Sequence, residues 1–226
     1  MEIVILTGAG ISAESGLGTF RDRGGVWSQY DLAEVATPEG FAADPAKVHD
    51  FYNARRANAA GAAPNAAHAA LARLSGGGAH QVTLVTQNID NLHEAAGSPD
   101  VVHMHGDLFR ALCAACGARW EAPEVMRPAD PCPVCAAPAT RPDVVWFGEV
   151  PYHMDLIFER VSRCDLFAAI GTSGEVYPAA GFVDLAREEG AETVEINLAP
   201  SRNPAFLRRI VGPATRTVPE WVAELV

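Results

Sequence analysis

The run Glu2-Ile3-Val4-Ile5-Leu6 breaks almost directly into Gly8-Ala9-Gly10-Ile11-Ser12-Ala13, a match to the pattern G-x-G-x-x-G/A. A short apolar, β-branched run reads as a buried strand. Glycines at its end let the backbone turn sharply and approach a pyrophosphate at a helix N-terminus. A strand that feeds such a loop belongs to a parallel sheet, because parallel neighbours are joined by helical crossovers. The rest of the chain keeps that rhythm. Strands are expected at Glu2–Leu6, Gln81–Val85, Val101–His103, Asp143–Phe147, Leu166–Ile170 and Thr193–Asn197, with Thr215–Val218 as an edge strand. Helices are expected at Asp90–Ala96, His153–Ser162, Pro178–Glu189, Pro204–Ile210 and Pro219–Leu225, the last three opening on a proline suited to a first helical turn. The expected fold class is α/β, a parallel sheet with helices on both faces.

Two stretches interrupt the pattern. Residues 36–75 hold no strand candidate and many alanines, with helical spacing around Val48–Ala60 and Asn65–Leu74. Residues 108–142 are rich in Cys, Pro and Ala. The chain is therefore read as a single catalytic unit of residues 1–226. Its sheet part covers about 1–35, 79–107 and 143–226. A small domain is built from a helical insertion, about 36–78, and a second insertion, about 108–142. In the second, Cys113-x2-Cys116 and Cys132-x2-Cys135 stand fifteen residues apart, the spacing of a four-cysteine zinc ribbon. Four thiolates complete a tetrahedron and leave no position for substrate, so one structural zinc is expected. Cys164 lies outside the set and reads as a small buried hydrophobe.

Composition narrows the function. Net charge is −11, which offers a nucleic-acid backbone no general attraction. The apolar run at residues 2–6 is too short for a signal peptide or a membrane span, so a cytoplasmic protein without membrane contact is expected, and a monomer. Cysteines in that compartment are ligands more readily than disulfides.

The glycine loop alone fits a dehydrogenase, or merely a tight turn. A dehydrogenase also needs a second strand ending in an acidic residue about 20 positions on. Asp31 and Glu34 stand at that distance, but the Gly/Arg-rich segment GLGTFRDRGGVW precedes them instead of a strand. Gln87, Asn88 and Asp90 cluster after the strand Gln81–Val85, where open α/β sheets bind ligands; Asp90 could equally cap the next helix. His103 and His105 alternate before Gly106 and could serve as a general base, bind a metal or be inert. Gly171-Thr172-Ser173 and Asn197-Leu198 follow further strands on the same rim.

Taken in order, GAGIS (8–12), Phe20-Arg21, TQNID (86–90), His105-Gly106, the two CxxC pairs, VVWFGE (144–149), GTS (171–173) and Asn197-Leu198 resemble the sirtuins, NAD-dependent protein deacylases, over essentially the whole chain. The pair Tyr52-x-x-Arg55 resembles the class III branch, and GTFR at 18–21 departs from the proline and aspartate that many other sirtuins carry there. The resemblance implies a Rossmann-like sheet and a reaction in which NAD is consumed as co-substrate, with no hydride moved. An acyl oxygen attacks the ribose carbon as nicotinamide leaves, and acyl transfer to ADP-ribose frees the lysine.

It also implies roles for particular residues. His105 accepts a proton from the ribose hydroxyls, and Asn88 orients the ribose through a water. Asp90 and the Ile89 backbone hold the nicotinamide amide. Gly8, Ala9, Gly10, Ser12, Phe20, Arg21, Trp27 and Gln87 surround the cofactor's reacting end and phosphates, while Gly171, Thr172, Ser173, Asn197, Leu198 and Ala214 line the adenosine side. Val145, Phe147, Gly148 and Glu149 form the edge that takes an acyl-lysine peptide by strand addition. Tyr52 and Arg55 grip the distal carboxylate of succinyl- or malonyl-lysine, with Ala36 leaving room for the longer chain; acetyl-lysine is accepted too. From spacing alone, Tyr52 and Arg55 could instead belong to a solvated basic helix face, since Arg56 is adjacent. The alternatives are mainly a deacetylase or mono-ADP-ribosyltransferase with the same cleft and, more remotely, a zinc-ribbon binding module.

Overall fold

The computed structural model describes residues 1–18 and 31–226. Nine strands and eight α-helices are assigned among them. Strand β1 (Glu2–Thr7) pairs in parallel with β2 (Gln81–Thr86) on one side and β7 (Leu166–Ile170) on the other. With β3 (Val102–His103), β8 (Glu192–Asn197) and β9 (Arg208–Val211) they form a six-stranded sheet of order β3-β2-β1-β7-β8-β9. The chain leaves β1 towards one edge and later returns to build the other. The topological switch therefore falls between β1 and β7, and a crevice opens there at the carboxyl ends of the strands.

Alternation along β1 sorts the two faces. Ile3 and Ile5 pack with Leu71 and Leu74 of α4 (Ala66–Gly76) and with Val218, Trp221 and Val222 of α8 (Ala214–Ala223). Val4 and Leu6 pack with Ile157 and Val161 of α6 (Met154–Val161) and with Phe182, Val183 and Ala186 of α7 (Phe182–Glu188). Both faces are covered, which is why the central strands read as continuous apolar runs.

Beside this sheet lies an antiparallel one of order β5-β4-β6, made of β4 (Gly106–Cys113), β5 (Arg119–Glu121) and β6 (Thr140–Val144). Against it pack α1 (Leu32–Val35) and α3 (Pro45–Ala60), with α2 (Pro38–Ala43) between them in sequence. Their shared core holds Val35, Val48, Phe51, Tyr52, Leu108, Val144 and Trp146. Side-chain caps open all three, Asp31 for α1, Thr37 for α2 and Asp44 for α3.

The structure departs from the sequence expectations in four places. Thr215–Val218 is helix, not an edge strand: it joins the expected Pro219–Leu225 helix in α8, whose Thr217, Val218, Trp221 and Val222 are all buried at helical spacing. That burial outweighs the break expected at Pro219. The edge strand is instead Arg208–Val211, where a helix from Pro204 was expected, because β8 offers it an open backbone edge in register. The expected strand Asp143–Phe147 lies three residues earlier and belongs to the antiparallel sheet. The expected helix Pro178–Glu189 is a 3₁₀ turn, Ala179–Gly181, followed by α7.

Two backbones approach closely at the switch point of the large sheet. A Cβ placed on Gly10 would stand 2.7 Å from both the Cα and the oxygen of Gly171, and one on Gly8 would stand 2.9 Å from that oxygen. Gly171 itself has φ +61°, and a Cβ there would stand 2.5 Å from the Ile11 nitrogen. We expect Gly10→Ala to force the two loops apart at a cost of about 2–3 kcal/mol, the upper range of overpacking. For a chain this size that corresponds to a fall in Tm of roughly 5–10 °C, measurable by calorimetry. An unchanged Tm would mean the loops separate freely.

Candidate active site

Four loops converge at the carboxyl end of the sheet, and backbone bonds fix them first. The Gly8 N–H donates to the Ile170 carbonyl at 3.0 Å, the Gly10 N–H to the Gly171 carbonyl at 2.8 Å, and the Gly171 N–H to the Ile196 carbonyl at 2.9 Å. Side chains then lace the loops. Gln87 Nε2 donates to Thr172 Oγ1 at 2.9 Å, and Asn197 Nδ2 to the Thr172 carbonyl at 2.7 Å. Asn88 Nδ2 reaches the Gly8 carbonyl at 3.2 Å and Ser12 Oγ at 3.1 Å. Ser12 in turn donates to Asp90 Oδ2 at 3.1 Å, while Asp90 Oδ1 accepts the Leu92 N–H at the start of α5 (Leu92–Ala95). Asp90 thus holds the first N–H of that helix, whose N-cap residue is Asn91, and also joins the rim. Burial pushes its pKa up from the usual carboxylate value, against the pull of these donors.

The remaining rim positions are placed as follows. Ala9 and Ile11 lie in the 3₁₀ turn after β1. Ile89 accepts the Leu108 N–H through its carbonyl at 2.9 Å. Ser173 Oγ accepts the Glu175 N–H at 3.3 Å, and Leu198 is exposed beside Asn197. Ala214 opens α8, where Glu14 accepts hydrogen bonds from the Thr215 N–H and hydroxyl. Phe20, Arg21 and Trp27 lie outside the described residues.

The two histidines divide their tasks. His105 Nδ1 lies 3.0 Å from the Gln87 carbonyl, which can only accept, so Nδ1 carries the proton and Nε2 presents a lone pair. Burial holds its pKa below the ordinary imidazole value, and the bond to Gln87 only partly opposes this. The ring is therefore neutral near pH 7. His103 sits between the Asn88 carbonyl, 3.2 Å from Nδ1, and Glu94, 2.7 Å from Nε2. Burial works against its charge, but Glu94 overcomes it and the pKa rises. Both of its nitrogens are engaged.

Behind the rim lie groups that no local motif announced. His93 Nε2 lies 3.0 Å from Thr7 Oγ1, which donates to Thr86 Oγ1 at 2.9 Å, and Thr86 accepts the Asn88 N–H. His68 packs edge-on against His93 and lies 3.5 Å from Ser12 Oγ. Burial lowers the two histidines to about 4 and about 3, so both are neutral struts. Their contacts with Thr7 and Ser12 span 86 and 56 residues, which spacing could not have revealed, whereas the Asn65 N–H that His68 Nδ1 accepts is local.

On the other side of His105 lie helices α1–α3 and the antiparallel sheet. Tyr52 is 3 % exposed and Arg56 4 %, which removes the solvated-face reading of this helix. Arg56 turns away to bond the Leu108 carbonyl, Asn53 and Met126, whereas the Arg55 guanidinium carbon lies over the Phe51 and Tyr52 rings, 5.7 and 6.0 Å from their centroids. Ala36 is buried, and its carbonyl accepts the Phe147 N–H at 2.9 Å; the His105 carbonyl accepts the Val145 N–H at the same distance. The segment 145–149 is thereby clamped between the histidine and the helical insertion, with Phe147 half exposed and Gly148 at φ +91°. The Glu149 carboxylate is engaged within the protein, by both Arg141 nitrogens at 2.7 and 2.9 Å and by the Trp146 N–H at 2.8 Å.

The four cysteines Cys113, Cys116, Cys132 and Cys135 meet at the far end of the antiparallel sheet, all sulfurs within 4.8 Å of one another. Two pairs stand 3.7 Å apart, close to the edge of about 3.8 Å that a tetrahedron with 2.3 Å Zn–S bonds requires. Each Cys-x-x-Cys makes the same turn: Gly117 donates to Cys113 and Ala136 to Cys132, both with positive φ. All four thiols are free, and their donor set fits a structural zinc.

A parallel sheet with a glycine rim at its switch point, buried amide and carboxylate side chains and a neutral imidazole offers the donors and acceptors that a dinucleotide needs. The fold and rim define a dinucleotide-binding α/β domain that carries a cysteine-ribbon module. Residues 8–178 match the model of the Sir2 family. A protein of Caulobacter vibrioides named NAD-dependent protein deacylase is 57 % identical over 231 residues, covering 100 % of this chain and 97 % of its own. One of the same name from Escherichia coli is 51 % identical over 228 residues, covering 99 % and 82 %. A solved Sir2 homologue in complex with NAD superposes with a TM-score of 0.90 at 38 % identity, over 99 % of this chain and 88 % of that one. The chain belongs to the Sir2 family.

The cysteine cluster yields a direct test. Elemental analysis of purified protein should find one zinc per chain, and Cys135→Ser should lower it together with thermal stability and activity, because the ribbon cannot hold its shape without the metal. Active protein free of zinc would refute a structural role.

Proposed function

We propose that this protein is an NAD-dependent protein-lysine deacylase that removes succinyl and malonyl groups, and acetyl groups as well, releasing nicotinamide and O-acyl-ADP-ribose. The observation that carries the reading is the position of segment 145–149, between the lone-pair-bearing His105 on one side and Ala36 and the Tyr52–Arg55 face on the other. A lysine presented along that segment has a base at one end of its acyl group and a phenol and guanidinium at the other.

Bound NAD supplies an electrophilic ribose carbon with nicotinamide as leaving group. The protein's own residues do the rest. The glycine rim leaves room for a pyrophosphate beside backbone N–H groups, and Asn197 and Thr172 stand where an adenosine ribose would lie. Asp90, held by Ser12 and the Leu92 N–H, and the Ile89 backbone offer acceptor and donor to a carboxamide. Asn88, fixed through Nδ2 by Gly8 and Ser12, keeps Oδ1 for a water on the ribose. His105 Nε2 takes the proton of a ribose hydroxyl, its tautomer set by the Gln87 carbonyl. His103, paired with Glu94, holds the loop and does no proton transfer.

The acyl end is read by charge. Arg55 remains protonated although burial lowers its pKa, and its fork matches a carboxylate in two places. Burial raises the Tyr52 pKa, so the phenol stays neutral and can donate. A carboxylate at the end of a succinyl or malonyl chain can accept from both groups and an acetyl group cannot, which favours dicarboxylic acyl chains beyond what shape gives. No described helix is long and apolar enough to cross a membrane.

Three measurements test the reading. His105→Ala should lower turnover by about 10²–10⁴, the range for a general base, with NAD binding largely kept. In the parent enzyme kcat/KM should fall as pH drops through a pKa below 6.5, since protonation removes the lone pair and burial sets the titration below the ordinary value. Near-normal deacylation by the variant would remove His105 from the reaction. Arg55→Met should cut desuccinylation about 10²-fold, roughly 3 kcal/mol, and deacetylation far less. Equal losses on both substrates would make Arg55 a support of the fold.

A further inference from the structure

Trp146 lies in the middle of the clamped segment, and its indole Nε1 stands 3.1 Å from the Tyr52 hydroxyl oxygen. An indole N–H can only donate, so the phenol must accept from it. The Tyr52 O–H is then directed elsewhere, and among the described residues no acceptor receives it. A buried phenol that already accepts one hydrogen bond is left to act as a donor, which is what a carboxylate in the acyl pocket requires. Without that indole the hydroxyl could rotate and present a lone pair instead.

The indole itself is held on several sides. Its backbone N–H donates to Glu149, and its carbonyl accepts the Glu149 N–H at 3.0 Å. The Arg141 guanidinium lies 3.5 Å from the ring centroid, itself fixed by two bonds to Glu149, and Phe41 packs against the ring at 5.0 Å. Trp146 is 3 % exposed. Its neighbours Val145 and Phe147 are tied to His105 and Ala36, so one short segment joins the peptide edge, the base and the acyl pocket.

We infer that Trp146 is a specificity-determining positioning residue, which fixes Tyr52 as a hydrogen-bond donor and so favours dicarboxylic over neutral acyl groups. Arg141 and Glu149 brace it. The inference rests on the reading of Tyr52 and Arg55 as the acyl-binding pair.

The test is the ratio of kcat/KM for succinyl- and acetyl-lysine forms of one peptide at saturating NAD, in the full-length zinc-loaded protein. Trp146→Phe keeps most of the ring and loses the N–H; replacing Trp146 by β-(3-benzothienyl)alanine puts sulfur in place of the N–H with the same outline. Either change should lower the succinyl-to-acetyl ratio about 5- to 20-fold, mainly through KM for the succinyl peptide. Tyr52→Phe should lower it similarly, and the Tyr52→Phe, Trp146→Phe double variant no further than Tyr52→Phe alone. If Arg55→Met and Tyr52→Phe lower the ratio but the benzothienyl replacement does not, Trp146 merely fills space and the inference fails while the acyl-binding pair stands. If Arg55→Met and Tyr52→Phe leave the ratio unchanged, the acyl-binding pair itself is wrong, and the inference falls with it. A parallel loss on both substrates, with a matching fall in Tm, would likewise overturn it.

Discussion

The site depends on a backbone contact between Gly8 and Gly10, after β1, and Gly171, after β7. No side chain fits between these loops, and the Gly10 N–H is bonded to the Gly171 carbonyl at 2.8 Å. The two loops lie on either side of the switch point, so their contact decides how far the crevice opens and where Thr172 meets Gln87. Glycine is usually assigned to such loops for the approach of a phosphate. Here its first use is internal: the second loop occupies the space a side chain would need.

From that contact a polar lattice extends in two directions. Ser12 links Asn88 and Asp90 on the near side, and Thr7, Thr86 and His93 continue behind them. These groups are mostly buried and bonded, and buried polar networks hold one geometry only when most members are satisfied. The cost is desolvation, visible in the lowered pKa values of His68 and His93 and the raised one of Asp90. His105 shares that environment at the lattice edge, where a tautomer fixed by one carbonyl leaves the other nitrogen open for chemistry.

The antiparallel sheet performs a different task. Its cysteine end has nothing to do with the cleft, but β4 and β6 run from the cysteines back to Gly106 and Val144, one residue from His105 and from the clamped segment. The cysteine module thus sets the register of the strands that flank His105. Gly106, at φ +84°, lets β4 cross so close to Asp143 that a Cβ would overlap its carbonyl. Stability of the ribbon is coupled through backbone to segment 145–149, which is bonded to His105 and Ala36.

Much of this was legible in the residues. Short apolar runs at 2–6, 81–85, 166–170 and 193–197 are strands because buried parallel strands need no alternation, and glycines or polar clusters mark their carboxyl ends. The cysteine spacing names a four-thiolate site because knuckle geometry is local. GAGIS and TQNID each follow one of these strands, so their polar groups fall at the same end of the sheet. What sequence misassigned was the C-terminal region, where Thr215–Val218 has strand-like composition but helix-like burial, and Arg208–Val211 is a strand only because β8 has a free edge beside it. Composition describes a segment's preferences, whereas an edge strand is decided by the partner. The division of labour between His103 and His105 belongs to the same class: two identical side chains two residues apart differ because one meets Glu94 and the other does not. So does the link from Trp146 to Tyr52, ninety-four positions apart in the chain. Sequence determined which groups were present and which short turns they could make; only tertiary structure decided which donor faces which acceptor, since hydrogen bonds act over 3 Å of space whatever the distance along the chain.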